Sequence, residues 1–287
     1  MQFFVTVLVL SCVYAILASG FVIIYRSSRI LNFAYADVVM LLGYFAVSAG
    51  TFIGGPPAVC LAVTTALGFA LGFLIYAFFI KPMAGQPIFS TIILTVALGI
   101  IMQAATILIW RGELESISIG WRGYYSLQQG VRVTSTEIVI VVATIMFFAA
   151  ISIFYRFSKI GQQIRATAEN PLLAAQRGVN IHFVTALAWA LGLFATGLAS
   201  ILIGSNYAVS LYMGKIALKA FSVALVGGLD SIKGVFPAAV IIACSEIAAC
   251  TYINPRLADT IPFVIMMIVL LLRPWGLWGT EEEIERV

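Results

Sequence analysis

Charged residues are scarce in this chain. They make up 10% of its 287 residues, whereas about one quarter is usual for a soluble globular protein. Hydrophobic residues account for 62%, and apolar runs long enough to cross a bilayer as helices recur along the sequence. A soluble protein would expose too much apolar surface with so many runs, so the composition predicts an integral membrane protein.

Residues that bind metals or perform catalysis are equally scarce. The chain has one histidine, His182, and four cysteines that lie apart in apolar runs. This pattern offers no metal-ligand spacing, so we interpret these residues as packing residues. The glycines around Gly227 lack the Lys-Ser/Thr ending of a phosphate-binding loop. A membrane-embedded enzyme would need a convergent set such as Ser with Lys, and only isolated acids are present. We therefore expect no catalytic residue, metal, cofactor or nucleotide site.

The small net charge of +4 indicates basic cytoplasmic loops rather than a nucleic-acid partner.

Hydropathy predicts an all-α polytopic membrane protein with nine spans, two of them weak. The spans cover residues 3–25, 33–53, 58–80, 88–110, 136–154, 182–204, 208–228, 234–252 and 258–272. The second opens with a polar cluster at residues 32–37, and the seventh contains Lys215 and Lys219. If the seventh only dips into the membrane, the count falls to eight.

The distribution of lysine and arginine predicts the orientation. The segment between the fifth and sixth spans contains four basic residues and one acid, so we expect it to be cytoplasmic. Counting spans from there places the N-terminus, the turn at residues 54–57 and the loop at 111–135 outside. With nine spans, residues 274–287 form a cytoplasmic tail, whereas with eight the C-terminus lies outside.

The two weak spans occupy matching positions along the chain. Each is the second span of its block, in residues 1–112 and in residues 182–273, and the two blocks enter the membrane from opposite sides. Interrupted helices at matching positions of inverted repeats mark the path of many transporters. We therefore predict one transmembrane domain with inverted-topology repeats and two interrupted helices, joined by residues 113–181. The alternative is a chance resemblance between apolar helices.

A polar segment at residues 161–180 interrupts the apolar sequence. Asn170 and Pro171 are typical of a helix start, and Gly178 is typical of a helix end, with Arg177 near the negative pole. Leu172 and Leu173 are too few to span a membrane. A short capped helix with an apolar ridge suits docking into a groove of a soluble protein. The alternative is a basic loop that only sets the topology.

Four motifs carry a resemblance that covers nearly the whole chain. The polar segment, GQQIRATAENPLLAAQRGVN, resembles the cytoplasmic coupling loop of branched-chain amino acid (Liv-type) ABC transporter permeases. Residues 32–37, NFAYAD, are similar to the Asn-Phe-Ala-His-Gly-Glu motif of that family. Residues 219–234 resemble its second glycine motif, and residues 273–279, RPWGLWG, resemble its ending. Tyr35, Ala36 and Asp37 depart from the usual His, Gly and Glu.

The resemblance implies the activity and the partners. The chain would be a permease subunit of an ABC importer for branched-chain or related amino acids, in a bacterial or archaeal cytoplasmic (inner) membrane. Two ATPase subunits, a second homologous or identical permease and an extracytoplasmic solute-binding protein would complete the complex, and the partners would hydrolyse ATP. The departures at residues 35–37 leave amides, urea or aromatic acids as alternative substrates. The coupling residues implied are Arg165, Glu169, Asn170, Pro171, Leu172, Leu173, Arg177 and Gly178.

Polar residues near membrane depth are candidates for the substrate path, because such groups usually face a polar interior or a partner. Asp37 alternatively caps a helix that begins near Val38, and Glu246 alternatively pairs with Arg256 or faces water. A rival function is ion-coupled secondary transport, which would need no ATPase. The candidate path residues are Asn32, Tyr35, Asp37, Asn206, Tyr207 and Glu246.

Overall fold

Helices dominate the computed structural model, which describes residues 1–53, 57–117, 123–127 and 131–280. The predicted turn at 54–57, apart from Pro57, and the end of the predicted tail lie outside the described residues. α3 continues through a π-helical turn, Tyr76–Ile80, and a 3-10 turn, Lys81–Met83. The α-helices are α1 (Gln2–Ser28), α2 (Tyr35–Ile53), α3 (Pro57–Ile75), α4 (Ile88–Trp110), α5 (Ser135–Phe157), α6 (Lys159–Glu169), α7 (Pro171–Gln176), α8 (Ile181–Tyr207), α9 (Met213–Gly227), α10 (Ile232–Tyr252) and α11 (Ile261–Leu272).

Seven of the described helices are long and apolar enough to cross a membrane, namely α1, α2, α3 with its extension, α4, α5, α8 and α10. They coincide with seven of the nine predicted spans, so the prediction of a helical, multi-pass membrane protein is confirmed. The other two spans correspond to shorter helices. α9 has 15 residues and α11 has 12, which at about 1.5 Å per residue is less than a hydrocarbon core of about 30 Å.

A two-stranded antiparallel hairpin departs from the all-helical prediction. It is formed by β1 (Tyr124–Leu127) and β2 (Val131–Thr134), with Tyr124 opposite Thr134. Valine, threonine and tyrosine favour strands, and this segment is too polar to be a span, so it pairs locally instead. The Gln2 side chain binds both the backbone N–H and the carbonyl of Arg132 at 3.2 Å. The hairpin therefore lies at the N-terminal end of α1.

α1 and α8 form the centre of the bundle and are the most deeply buried long helices in the described chain. They touch where Gly20 meets Gly192. A Cβ on Gly20 would lie 2.7 Å from the Gly192 carbonyl oxygen, and a Cβ on Gly192 would lie 2.9 Å from that of Gly20. Only glycine permits this backbone approach, which is typical of helix packing in membranes.

The remaining helices surround this pair in a regular pattern. α1 packs on α9 and α10, whereas α8 packs on α2 and α3. α4 packs on α2, and α11 packs on α9. α2 and α9 also contact each other, so these two helices meet beside the central pair. Each of these contacts of the first block thus has a counterpart in the second, while α10 also packs on α11.

The polar segment and the C-terminal segment lie at the same end of the bundle. α6 packs against α1 and against the end of α5, where a Cβ on Gly161 would lie 2.8 Å from the Tyr155 Cα. Tyr25 and Arg29, at the end of α1, line a cavity of about 230 Å³ together with Trp275 and Thr280. Gln2 and the hairpin lie at the opposite end of α1.

Candidate functional site

The first interrupted helix begins at residues 32–37. α1 ends at Arg29 in a left-handed conformation, with φ of 56°, and the chain is not helical again until Tyr35. The Phe33 amide donates to Thr95 Oγ1 on α4 at 3.2 Å. The Asp37 carboxylate lies against Gly99, the middle residue of α4 and about 16 Å from either helix end at 1.5 Å per residue. α2 therefore begins beside the middle of its neighbour α4.

The structure shows the contacts of Tyr35 and the position of Asp37 within α2. Tyr35 is fully buried, its hydroxyl donates to the Leu17 carbonyl at 2.9 Å, and its ring centroid is 3.9 Å from that of Phe21. The hydroxyl is thus used within the protein. Asp37 is the third residue of α2, so the alternative that it is the N-cap is wrong, because the helix begins before it.

Asn32 is buried, with 3% of its surface exposed. Neither its Oδ1 nor its Nδ2 atom has a hydrogen-bond partner among the residues that the structure describes. Buried amides are normally paired, because an unpaired one loses its hydration without compensation. Asn32 is therefore the most unusual of the predicted path residues.

The second interrupted helix is α9. After α8 ends at Tyr207, the chain is extended, and Val209 exchanges backbone hydrogen bonds of 2.7 and 3.0 Å with Glu115. α9 then begins at Met213, whose sulfur lies against Gly43 within α2. Asn206 and Tyr207 are in the last turn of α8, where half of the Tyr207 surface is exposed.

The two interrupted regions contact each other through aromatic rings. The Phe33 and Phe221 centroids are 6.0 Å apart, and Phe21 of α1 lies 5.3 Å from Phe221. Small residues allow this approach, since Gly214 lies close to the Ala36 backbone. The structure thus brings together Asn32, Tyr35 and Asp37 at the start of α2, next to α9.

Glu246 lies elsewhere, in a buried polar network. The Tyr14 hydroxyl donates to Glu246 Oε2 and the Lys219 ammonium donates to Oε1, both at 2.6 Å. Lys219 also pairs with Asp259 at 2.6 Å, so Glu246 pairs with Lys219 rather than with Arg256. Lys219 and Glu246 are both less than 10% exposed. A buried ion pair requires such additional hydrogen bonds to offset its desolvation.

Sequence reasoning missed three members of this network: Tyr14, Lys219 and Asp259. The available signal was Lys219 itself, a charge inside a weak span that needs a partner. Asp259 follows α10, and the Lys219 hydrogen bond and positive charge hold the pKa of its carboxyl below the ordinary value. Lys219 thus attaches α9 to α10 and to the connection that precedes α11.

The polar segment folds as its capping signals predicted. Asn170 Oδ1 accepts a hydrogen bond from the Leu173 amide at 3.0 Å, and Gly178 adopts a left-handed φ of 79°. α7 covers Pro171–Gln176 and thus begins at the predicted proline. Leu172 and Leu173 are 70% and 56% exposed, whereas Ala174 is buried against the protein. The helix therefore displays two leucines on an exposed surface.

The two exposed leucines of α7 are flanked by three charged residues: Arg165, Glu169 and Arg177. Arg165 is half-buried on α6, and the other two are exposed on either side of α7. α6 is fixed by the buried Ile164 and Thr167, while α7 packs on α8. α6 and α7 thus both contact the central helices.

Two of the motifs that were recognised separately pack as one unit. The Leu277 amide donates to the Val226 carbonyl at 2.8 Å, and the Trp278 amide donates to that of Gly227 at 3.3 Å. Thr280 binds the Asp230 carboxylate through its amide at 3.0 Å. Gly228, with φ of 100°, leaves room for Gly279. The C-terminal motif thus covers the end of α9.

Comparison with known proteins agrees with these features. Residues 3–270 match the family described as branched-chain amino acid transport system / permease component. The high-affinity branched-chain amino acid transport system permease protein LivH of Escherichia coli K12 is 29% identical, covering 97% of this chain and 94% of its own. BraD of Pseudomonas aeruginosa, with the same description, is 27% identical over 100% and 98%. The probable LivH of the archaeon Methanocaldococcus jannaschii is 24% identical over 96% and 91%.

The family match covers almost the entire chain, and the relatives align over nearly their full lengths. The long apolar helices confirm the predicted multi-pass membrane location. The chain therefore belongs to the family of branched-chain amino acid transport system permease components.

Proposed function

We propose that this chain forms half of the translocation path of an ABC importer for branched-chain or related amino acids, with a second homologous or identical permease as the other half. The family match over residues 3–270 carries this proposal. The contact between the start of α2 and α9 supports it, because helices broken in the membrane persist only where protein or a watered cavity covers their backbone.

The same packing supports two inverted repeats, residues 1–112 and 182–273, within a single transmembrane domain. α1 corresponds to α8, α2 to α9, α3 to α10 and α4 to α11, and each contact within the first set has its partner in the second. In this arrangement the short helices α9 and α11 also cross the membrane, so the chain crosses it nine times. Such repeats rock against each other in alternating access.

The orientation that we propose has the N-terminus outside and the polar segment and C-terminus inside. It is supported by the basic residues of the polar segment and by the position of this segment at the same end of the bundle as residues 273–280.

Thiol labelling tests this orientation. In a variant with alanine at Cys244 and Cys250, a cysteine is placed at Tyr125, which is 61% exposed. This cysteine should react with an impermeant thiol reagent added outside intact cells. A cysteine at the exposed Gln162 should react only after the membrane is opened. The reverse pattern would overturn the orientation.

The exposed leucines of α7 support ATPase subunits as partners. Two ATPase subunits would receive Leu172 and Leu173 from the two permeases, with Arg165, Glu169 and Arg177 around them, and they would hydrolyse the ATP. ATP binding would then move α7 against α8 and shift the repeats. A solute-binding protein would deliver substrate from outside, near Asn206 and Tyr207. The Lys219–Glu246 network would hold α9 in place beside the path.

Reconstitution tests the proposed function. Proteoliposomes with the complete complex should accumulate radiolabelled leucine only under two conditions. ATP must be inside the vesicle, on the side that the ATPase subunits face, and binding protein loaded with leucine must be supplied outside. Uptake by this chain alone under a proton or sodium gradient would instead show the rival secondary transporter. Because Tyr35, Ala36 and Asp37 depart from the usual motif, competition by unlabelled phenylalanine, urea and a short amide should accompany the assay to identify the substrate.

A further inference from the structure

A small cavity lies at the contact between the two interrupted helices. It has a volume of about 10 Å³ for a water-sized molecule, which is about the space of one water. Asn32 lines it together with Phe21, Phe33 and Phe221. The unpaired amide of Asn32 is thus enclosed beside aromatic rings contributed by α1, α9 and the segment that precedes α2.

The mouth of this cavity is apolar and reaches the surface of the chain. Leu218 of α9 and Phe33 are 44% and 39% exposed, whereas Ala36 on the inner side is buried. No charged side chain is among the residues that line it. A solute with a net charge would therefore enter without an opposite charge to stabilise it. The two charges of a zwitterion would also lose hydration there, so each of them needs a hydrogen-bond partner in the cavity.

The chemistry of Asn32 fits one kind of solute. An amide offers one acceptor oxygen and two N–H donors on adjacent atoms. The ammonium of an amino acid can donate to Oδ1, and its carboxylate can accept from Nδ2. The rings of Phe33 and Phe221, with Leu218, provide an apolar surface for an aliphatic side chain. Both halves of a zwitterionic, apolar amino acid thus find a matching group.

We propose that Asn32 and this aromatic cluster form a substrate subsite, which opens when the start of α2 separates from α9 and binds a zwitterionic amino acid with an apolar side chain. This inference rests on the proposed transport function and assigns its binding group. In this structure the cavity is too small for an amino acid, and the Asn32 side chain has no hydrogen-bond partner among the described residues. The amide therefore favours the open, loaded subsite over the closed one.

The central test is Asn32→Leu, which keeps the approximate volume and removes every polar atom. In the complete reconstituted complex, leucine uptake should fall about tenfold or more, the usual order for losing the pairing of a buried polar group. Assembly and the unfolding midpoint should be retained, because the Asn32 side chain makes no hydrogen bond to the described protein. Asn32→Ser, which keeps one hydroxyl, should transport at a rate between the two.

Ser222→Ala provides a matched control. The Ser222 hydroxyl is also buried without a partner in the described chain, one residue after Phe221, but it does not line the cavity. This variant should transport like the wild type. Equal uptake by wild type and Asn32→Leu would overturn the subsite while leaving the importer intact. If Asn32→Leu does not assemble, uptake by Asn32→Ser at the wild-type rate would overturn the subsite equally. A wild-type complex that moves no amino acid would overturn the proposed function, and the subsite with it.

Discussion

Replacing Leu172 and Leu173 together by aspartate should abolish association with the ATPase subunits. Both leucines are mostly exposed on α7, so the isolated permease loses no core packing. The new carboxylates would lie in the first turn of the helix, where its dipole favours negative charge. Losing two buried leucine side chains costs about 1.5–3 kcal/mol each at an interface, and inserting carboxylates into an apolar groove costs several kcal/mol more.

The measurement is co-purification of the ATPases with an affinity-tagged permease, followed by ATP-dependent uptake. We expect binding to weaken at least about a hundredfold, since each 1.4 kcal/mol is a factor of ten. Leu114 and Leu257, which are 77% and 45% exposed in the loops that follow α4 and α10, give a matched control when both are changed to aspartate. That control should retain the ATPases. Retention of coupled ATPases by the Leu172/Leu173 variant would contradict the coupling assignment.

The features predicted well from sequence depend on local or compositional signals. The seven long helices follow from apolar length alone. α7 follows from Asn170, Pro171 and Gly178, because a cap needs only residues within one turn. The break before α2 follows from polar residues that a span would not tolerate. In each case the responsible residues are neighbours along the chain.

The features that sequence reasoning missed depend on distant residues. Lys219 and Glu246 are 27 positions apart, and either could have met water or another partner until the packing of α9 on α10 was known. The C-terminal motif binds Gly227 and Asp230 across about fifty residues. The hairpin at β1 and β2 was missed because its short, moderately polar strands resemble an ordinary loop. Pairing chosen by tertiary structure overrides such weak local preferences.

The orphan amide of Asn32 illustrates the same limit in a different way. Its polarity within the motif was visible, and it was a predicted path residue for that reason. Its isolation was not visible, because it results from the positions of Phe21, Phe33 and Phe221 on three separate segments. The sequence thus indicated which residue was polar, and only the fold showed that nothing pairs with it in the described chain.

Replacing Glu246 by alanine should destabilise the protein strongly. The change leaves the Tyr14 hydroxyl without its acceptor and leaves Lys219, which is 8% exposed, with only the peripheral Asp259. Removing one member of a buried ion pair typically costs about 3–5 kcal/mol, because the remaining charge stays desolvated. For a domain of this size, we expect the unfolding midpoint of the detergent-solubilised protein to fall on the order of 10 °C.

Two further variants separate the buried pair from ordinary loss of charge. Asp259→Asn removes the other partner of the same lysine, but the Asp259 side chain is 73% exposed. Exposed pairs contribute about 0–1 kcal/mol, so its midpoint should change little. Lys219→Met combined with Glu246→Leu replaces the pair by apolar side chains of similar size. It should regain the part of the stability that the unpaired lysine costs, because no buried charge is left unpaired, although the Tyr14 hydroxyl still lacks its acceptor. If Asp259→Asn were as damaging as Glu246→Ala, or if the double variant were no better than the single one, the buried pair would not be what holds α9 to α10.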